Sequence, residues 1–229
     1  MRKISYGQIA SEERIAAEQE IIKFGAYLAN RHYHAALSGN ISFRISEDFI
    51  LCTRHGADKG DLCSDDIVVC SMDGKKVEGS GDPTSEFAMH RMAYSERPDV
   101  RAVIHAHPPA ATAFAAASVP LDSLMLPEMV VLLGPVALVP YATPGTEELA
   151  QQLKIYLGNH DALLLENHGA LTVGSDLRQA ALRMELLEHN AQITLNVRQI
   201  GKPFVLASQE MDSLMAIRNK INQRTNIFG

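Results

Sequence analysis

A chain of 229 residues, 46% hydrophobic and 21% charged, has the length of one or two domains, and no linker-like stretch divides it, so a single domain over 1–229 is expected. Its formal net charge of −6 disfavours a nucleic-acid or anionic-membrane surface, and it has no apolar run of about 18 residues free of Pro or charge. The cysteines, Cys52, Cys63 and Cys70, have no metal-like spacing and the N-terminus MRKISYGQIASEER has no apolar signal core, so a reduced, cytoplasmic setting is expected.

Residues 12–33 carry Ile15, Ile22, Phe24 and Leu28 at three- to four-residue spacing among Glu and Lys, which predicts an amphipathic helix broken by Ser38-Gly39-Asn40. Two short strands, 41–45 and 49–53, follow about a charged turn. A third, 66–70, runs into the turn Met72-Asp73-Gly74-Lys75 and a return at 76–79. Pro83, Thr84 and Ser85 are helix-start residues and predict a helix at 84–95 with a polar first turn. Residues 100–107 read as a strand, and 108–118 as a short Ala-rich helix begun by prolines. The apolar stretch 130–141 holds one or two buried strands, and 146–157 is a helix. A strand pair at 162–174 turns at Glu166-Asn167-His168-Gly169, and helices at 176–200 and about 207–224 precede the tail TNIFG. Strands and helices without regular βαβ alternation predict an α/β fold of the α+β type, in which a mixed, largely antiparallel central sheet lies between helical layers.

The strongest local signal is His105-Ala106-His107. Residues i and i+2 of a strand share a face, so the two imidazoles project side by side, as two ligands of one zinc would. Taken alone, the pair fits an exposed or singly hydrogen-bonded arrangement as well. Pro108-Pro109 end the strand where the histidines emerge. His168 interrupts a second apolar strand run, LLLENHGAL, where Asn and Gly are also the residues of a plain turn. Glu86 falls in the first helical turn, a place that suits a capping carboxylate equally. Together three neutral imidazoles and a carboxylate suit Zn²⁺, with Mn²⁺ or Co²⁺ as substitutes. A second group of small polar segments suits an anion: Gly39-Asn40, the Arg54-His55-Gly56 turn, and Thr84-Ser85 at a helix N-terminus. His90 and Tyr94 read as packing or subunit-contact residues, and His32, His34, His160 and His189 as surface or interface groups. Glu188 lies within reach of a supporting position.

The stretches SGNISFR (38–44), CTRHGADKGDL (52–62), PTSEFAMHRMAY (83–94), RPDVRAVIHAHPPAATAFA (97–115), VPYATPGTEELA (139–150) and LLLENHGALTVG (163–174) resemble, in this order, the class II aldolase/adducin family. Within it they are most similar to the L-fuculose-1-phosphate aldolase group. The resemblance implies a sheet of about nine strands in a three-layer fold, and a homotetramer with sites between subunits. It also implies zinc held by His105, His107 and His168. Glu86 would ligate the metal at rest and act as the acid/base. Asn40, Gly56, Thr84 and Ser85 would bind the phosphate of a small sugar substrate. The implied reaction is cleavage of a phosphorylated ketose of the L-fuculose 1-phosphate type, through an enediolate, to dihydroxyacetone phosphate and an aldehyde. Alternatives on the same scaffold are a dehydratase, epimerase or decarboxylase of another small sugar phosphate or acid, or a non-catalytic adducin-like module. Two departures stand out. Thr53-Arg54-His55-Gly56 replaces a Thr-Pro-Thr-Gly type of turn, which brings His55 to the anion site. The family's two tyrosines have no counterpart, one position falling near Pro127-Glu128 and the other in INQRTNIFG, which leaves Glu128 from a neighbouring subunit as a candidate for the proton at the C4 hydroxyl.

Overall fold

The structure, a computed structural model, describes residues 11–121 and 125–223. The N-terminal segment and the tail discussed above fall outside these residues. Helix α1 (Ser11–Ala29) is followed by β1 (Asn40–Arg44), β2 (Phe49–Thr53), β3 (Ile67–Ser71) and β4 (Lys76–Glu78). Then come α2 (Phe87–Glu96), β5 (Ala102–Ala106), α3 (Pro109–Ala116), β6 (Val136–Val139) and α4 (Glu147–Leu157). The strand pair β7 (Ala162–Leu165) and β8 (Gly169–Gly174) leads to α5 (Leu177–Ile200) and α6 (Ser208–Gln223). No helix among the described residues is long and apolar enough to cross a membrane.

The strands form one eight-stranded sheet in the order β4-β3-β2-β1-β5-β8-β7-β6. All neighbours are antiparallel except β6 and β7, so the mixed, largely antiparallel sheet expected from the sequence is present. Side chains alternate between two apolar layers, as the two-residue period of a strand requires. Ile41, Leu51, Ile104 and Leu164 pack with Phe24 and Leu28 of α1, Phe114 of α3 and Met184 of α5. Ile50, Val68, Val103, Leu163 and Leu171 face the other way, onto Met89 of α2 and Leu149 and Leu153 of α4. Each such side chain, fully buried, contributes about 1.5–3 kcal/mol of transfer free energy.

Two sequence expectations change, and a third, one or two strands within 130–141, narrows to one. The first helix ends at Ala29 rather than 33, because Tyr33 N–H donates to Leu28 O (3.0 Å) and His32 N–H to Ala29 O (2.8 Å), with His32 left-handed at φ 61. This is the Schellman closure, with a histidine in the place glycine usually takes. The run 130–141 is a single strand, β6, preceded by a π-helical turn, Met129–Leu133, that Gly134 (φ 80) ends. The helix expected from 84 begins at Phe87: Thr84 Oγ1 accepts from Glu86 N–H (3.3 Å), an alternative to the helical pattern, and Glu86 sits at the N-cap with φ −100 and ψ 19.

One buried carboxylate ties the layers together. Asp161, at the foot of β7, accepts from Arg97 beyond α2 (3.0 Å), Arg183 of α5 (2.8 Å) and Arg218 of α6 (3.0 Å). Arg97 keeps Asp99, but removing Asp161 takes the carboxylate from the two buried guanidinium groups of Arg183 and Arg218, so Asp161→Ala should lower the unfolding free energy by about 3–5 kcal/mol. Urea denaturation reads this directly. A loss under about 1 kcal/mol would mean the arginines find other partners.

Candidate metal centre

The site lies at one end of the sheet, where β1 begins, β5 ends and β8 begins. In the register Asn40 pairs with His105 on one side and Leu171 with His105 on the other. His105 is therefore on a central strand, fully buried, with its ring on the α2 face. Its Nδ1–H donates to Ala170 O (2.9 Å), so Nε2 presents its lone pair inward. His107 emerges just past the strand, its backbone N–H bonded to Tyr33 O (2.8 Å). The ring rests on Gly169, where a Cβ would stand 2.4 Å from His107 Cδ2, so the glycine of Asn167-His168-Gly169 is required by close approach. Asn167, left-handed at φ 54, turns the chain so that His168 enters the same space.

The three imidazoles converge, their ligating nitrogens all within 4.8 Å of one another. His107 Nε2 lies 3.0 Å from His105 Nε2. Glu86 completes the group, with Oε2 3.3 Å from His105 Nε2 and Oε1 3.2 Å from His168 Nε2. The spacing that suggested two side-by-side histidines and the polar triplet after an apolar strand thus end in one cluster with the carboxylate that precedes α2.

Burial pushes His105 down to about 3, and its neighbours His168 and His107 add to this against the opposing pull of Glu86. His107 is lowered for the same first reason. Burial raises the Glu86 carboxyl, but His105, His168 and the Asn40 amide together hold it well below the usual carboxylate range. Neutral nitrogens facing an ionised carboxylate are lone pairs aimed at one another. That donor set, with His105 oriented by a backbone carbonyl, fits a borderline divalent cation such as zinc.

Beside the cluster a cavity of about 340 Å³ is lined by Asn40, Gly56, Thr84, Ser85 and His55, together with Glu86, His107 and His168 at its inner end. Its two walls are tied by Thr84 N–H to Thr53 O (3.2 Å) and His55 N–H to Asp82 O (2.9 Å). Thr84 and Ser85 stand in the turn before α2 and not in its first helical turn, which still leaves them beside the helix N-terminus. Arg54, paired to Asp66 at 2.7 Å, and Lys59 bring positive charge to the same cavity. Lys59 Nζ donates to Leu37 O (2.6 Å) and Ala57 O (2.5 Å), and burial lowers it to about 8. Glu128 is exposed at the start of the Met129–Leu133 turn and does not line this cavity. Glu188 caps α3 just past His107, accepting from Ala110 N–H (3.0 Å) and Ala111 N–H (2.8 Å).

Two histidines are not where the sequence reading put them. His34 is buried, not at the surface, under Gly39 (φ 75), where a Cβ would meet His34 Nδ1 at 2.3 Å. His90 is neither a plain packing residue nor a subunit contact: it is fully buried and hydrogen-bonded to Asn40 and Ser42. A spacing of four residues, Glu86, His90, Tyr94, over one of two, Asn40, Ser42, is the sequence signal of this contact.

A cation-fitting cluster of three His and a Glu thus stands beside a polar cavity at one end of a largely antiparallel sheet, in the fold of an aldolase/lyase family. The chain belongs to the class II aldolase/adducin family, matching its "Class II Aldolase and Adducin N-terminal domain" over residues 19–195. It is 30% identical over 198 residues to a 5-deoxy-D-ribulose 1-phosphate aldolase of Bacillus thuringiensis, covering 86% of this chain and 92% of that one. It is 32% identical over 190 residues to a 3-oxo-tetronate 4-phosphate decarboxylase of Pectobacterium atrosepticum, covering 81% and 85%. The solved structure of an L-fuculose 1-phosphate aldolase superposes with a TM-score of 0.82 at 32% identity, over 90% of this chain and 96% of that one. That likeness shows the class II aldolase fold; among the described residues the sheet has eight strands against the nine or so implied by the resemblance.

His34, held down to about 3 by burial, and His90, held down to about 4 by burial, stay neutral in the folded chain at pH values where an unfolded histidine takes up a proton. Their folded values lie below the unfolded value of about 6.5, so stability is full above that pH and falls as pH drops toward 4, by about 1.4 kcal/mol per pH unit for each histidine. Urea denaturation of metal-free protein from pH 7.5 to 4.5 should show this fall. A flat profile would show that these rings protonate in place.

Proposed function

We propose that the chain is a metal-dependent lyase of the class II aldolase kind, cleaving a phosphorylated ketose of the L-fuculose 1-phosphate type to dihydroxyacetone phosphate and an aldehyde. The observation that carries this reading is the convergence of Glu86 with His105 and His168, at 3.3 and 3.2 Å, beside a cavity that Arg54 and Lys59 also line. His105, His107 and His168 hold the cation, zinc by preference with manganese or cobalt as substitutes, and Glu86 is its fourth ligand at rest. When bound, the cation supplies Lewis-acid stabilisation, worth several kcal/mol, of the negative charge that bond cleavage leaves on the substrate. Three neutral imidazoles leave its charge undiminished.

The residues of the chain do the rest. Thr84, Ser85, Gly56 and Asn40 hold the phosphate, with Arg54, His55 and Lys59 adding charge, and this remote anchoring orients the C2–C3 end toward Glu86. Breaking C3–C4 leaves an electron pair on C3, and Glu86 delivers the proton there or removes it in the synthetic direction. A single globular domain working in the cytoplasm as a homotetramer, with sites between subunits, is part of the same reading. Exposed apolar side chains such as Ile200 and Phe204 support association.

A decarboxylase of a 3-oxo acid phosphate is the second reading. A ketose 1-phosphate needs a base for its C4 hydroxyl, and no tyrosine lines the cavity among the described residues. Breaking C1–C2 of 3-oxo-tetronate 4-phosphate releases the carboxyl carbon as CO₂ and leaves the electron pair on C2, the carbon equivalent to C3 of the ketose, where protonation gives dihydroxyacetone phosphate with no such base. The decarboxylase relative supports including that substrate.

The test is a panel of ketose 1-phosphates and 3-oxo-tetronate 4-phosphate with zinc-loaded enzyme. The expected result is an aldehyde plus dihydroxyacetone phosphate from a ketose 1-phosphate, abolished by chelator and restored by zinc, with Glu86→Gln slower by roughly 10²–10⁴-fold. Release of CO₂ and dihydroxyacetone phosphate from 3-oxo-tetronate 4-phosphate, with no aldehyde from any ketose 1-phosphate, would select the second reading, and no product from any member would defeat both.

A further inference from the structure

Behind Glu86 a line of buried polar groups runs from the site into the α2 face of the sheet. Asn40 Nδ2 donates to Glu86 Oε2 (2.8 Å), and Asn40 Oδ1 faces His90 Nε2 (2.5 Å). His90 Nδ1 lies 2.6 Å from Ser42 Oγ, which is 2.7 Å from Tyr94 OH. Asn40, Ser42, His90 and Tyr94 are all buried. Glu86 Oε1, by contrast, is buried with His168 Nε2 3.2 Å away and no group behind it comparable to Asn40 among the described residues.

The chemistry of these groups permits one direction only. An ionised carboxylate accepts, so the Asn40 amide must turn its N–H to Glu86 and its carbonyl to His90. His90 must then carry its proton on Nε2 to donate to that carbonyl, which leaves Nδ1 bare. A bare Nδ1 accepts, so the Ser42 hydroxyl donates to it and the Tyr94 hydroxyl donates to Ser42 Oγ. Burial keeps His90 neutral, as this pattern requires.

We propose that His90 is a positioning residue: through Asn40, and backed by Ser42 and Tyr94, it pins Oε2 of Glu86 and so fixes the orientation of the carboxylate in the site. This deepens the reading of Glu86 as the acid/base and rests on it. It also gives Asn40 a second task beside the phosphate role, since both ends of its amide are engaged by protein.

Two measurements test it. Exchange of the C3 proton of dihydroxyacetone phosphate with D₂O, followed by proton NMR in zinc-loaded enzyme, isolates the step at Glu86 under either substrate reading. His90→Phe, which fills the space without a donor, should lower the exchange kcat by 10–100-fold, with KM and zinc content within two-fold of wild type. His90→Gln, whose amide can donate to Asn40, should recover at least a third of the wild-type rate. Equal rates in wild type and His90→Phe, or loss appearing only in KM, would overturn the proposal. The second measurement, nitrogen-15 NMR of histidine-labelled metal-free wild type, reads the tautomer without activity or substitution. A proton on Nε2 and a bare Nδ1 are expected, and the opposite tautomer would overturn the proposal even if His90→Phe fails to fold. Absence of exchange in zinc-loaded wild type would count against Glu86 as acid/base, while the tautomer still decides the direction of the chain.

Discussion

The register of β5 between β1 and β8 is the constraint on which the site depends. It sets His105 beside Asn40 and Leu171, and brings Ala170 O to the ring that must be held. A slip of β5 by one residue would turn His105 onto the face occupied by α1, α3 and α5 and leave Asn40 and Glu86 facing Ile104 or Ala106. Burial on both faces makes such a slip expensive, because it would expose or clash every side chain of a central strand. Precision at the site is thus a property of the sheet more than of the loops around it.

The electrostatics follow from that placement. A desolvated cluster of imidazoles favours the neutral form, and an ionised carboxylate among them lacks a positive partner of its own. Both features suit a divalent cation, and both would be costly in a merely structural cluster. The same cavity is lined by Arg54 and Lys59 beside backbone-exposing turns. Cation-fitting and anion-fitting groups thus share one cavity, which suits a substrate that carries a phosphate.

Much of this was legible along the chain. His105 and His107 followed from the two-residue period, and His168 from a polar triplet that ends an apolar strand. Glu86 was placed through helix-start residues even though α2 begins one position after it, because Thr84 diverts the local backbone hydrogen bond. The stretch 130–141 read as one or two buried strands and holds one, because an apolar, β-branched run looks the same in a strand and in the π-helical turn that Gly134 (φ 80) ends. His34 and His90 were read as ordinary because their roles exist only once distant elements meet. Asn40 and Ser42 repeat every two residues and Glu86, His90 and Tyr94 every four, and nothing in either period says that the strand and the helix pack together. The aldehyde half of the substrate lies beyond both periods, in segments where this chain differs from its relatives.

Anomalous diffraction at the zinc edge from crystals of zinc-loaded protein tests the central claim most directly. The account predicts one strong peak per chain, about 2.0–2.1 Å from a nitrogen of each of His105, His107 and His168. A peak held by other side chains, or none at full zinc loading, would contradict it.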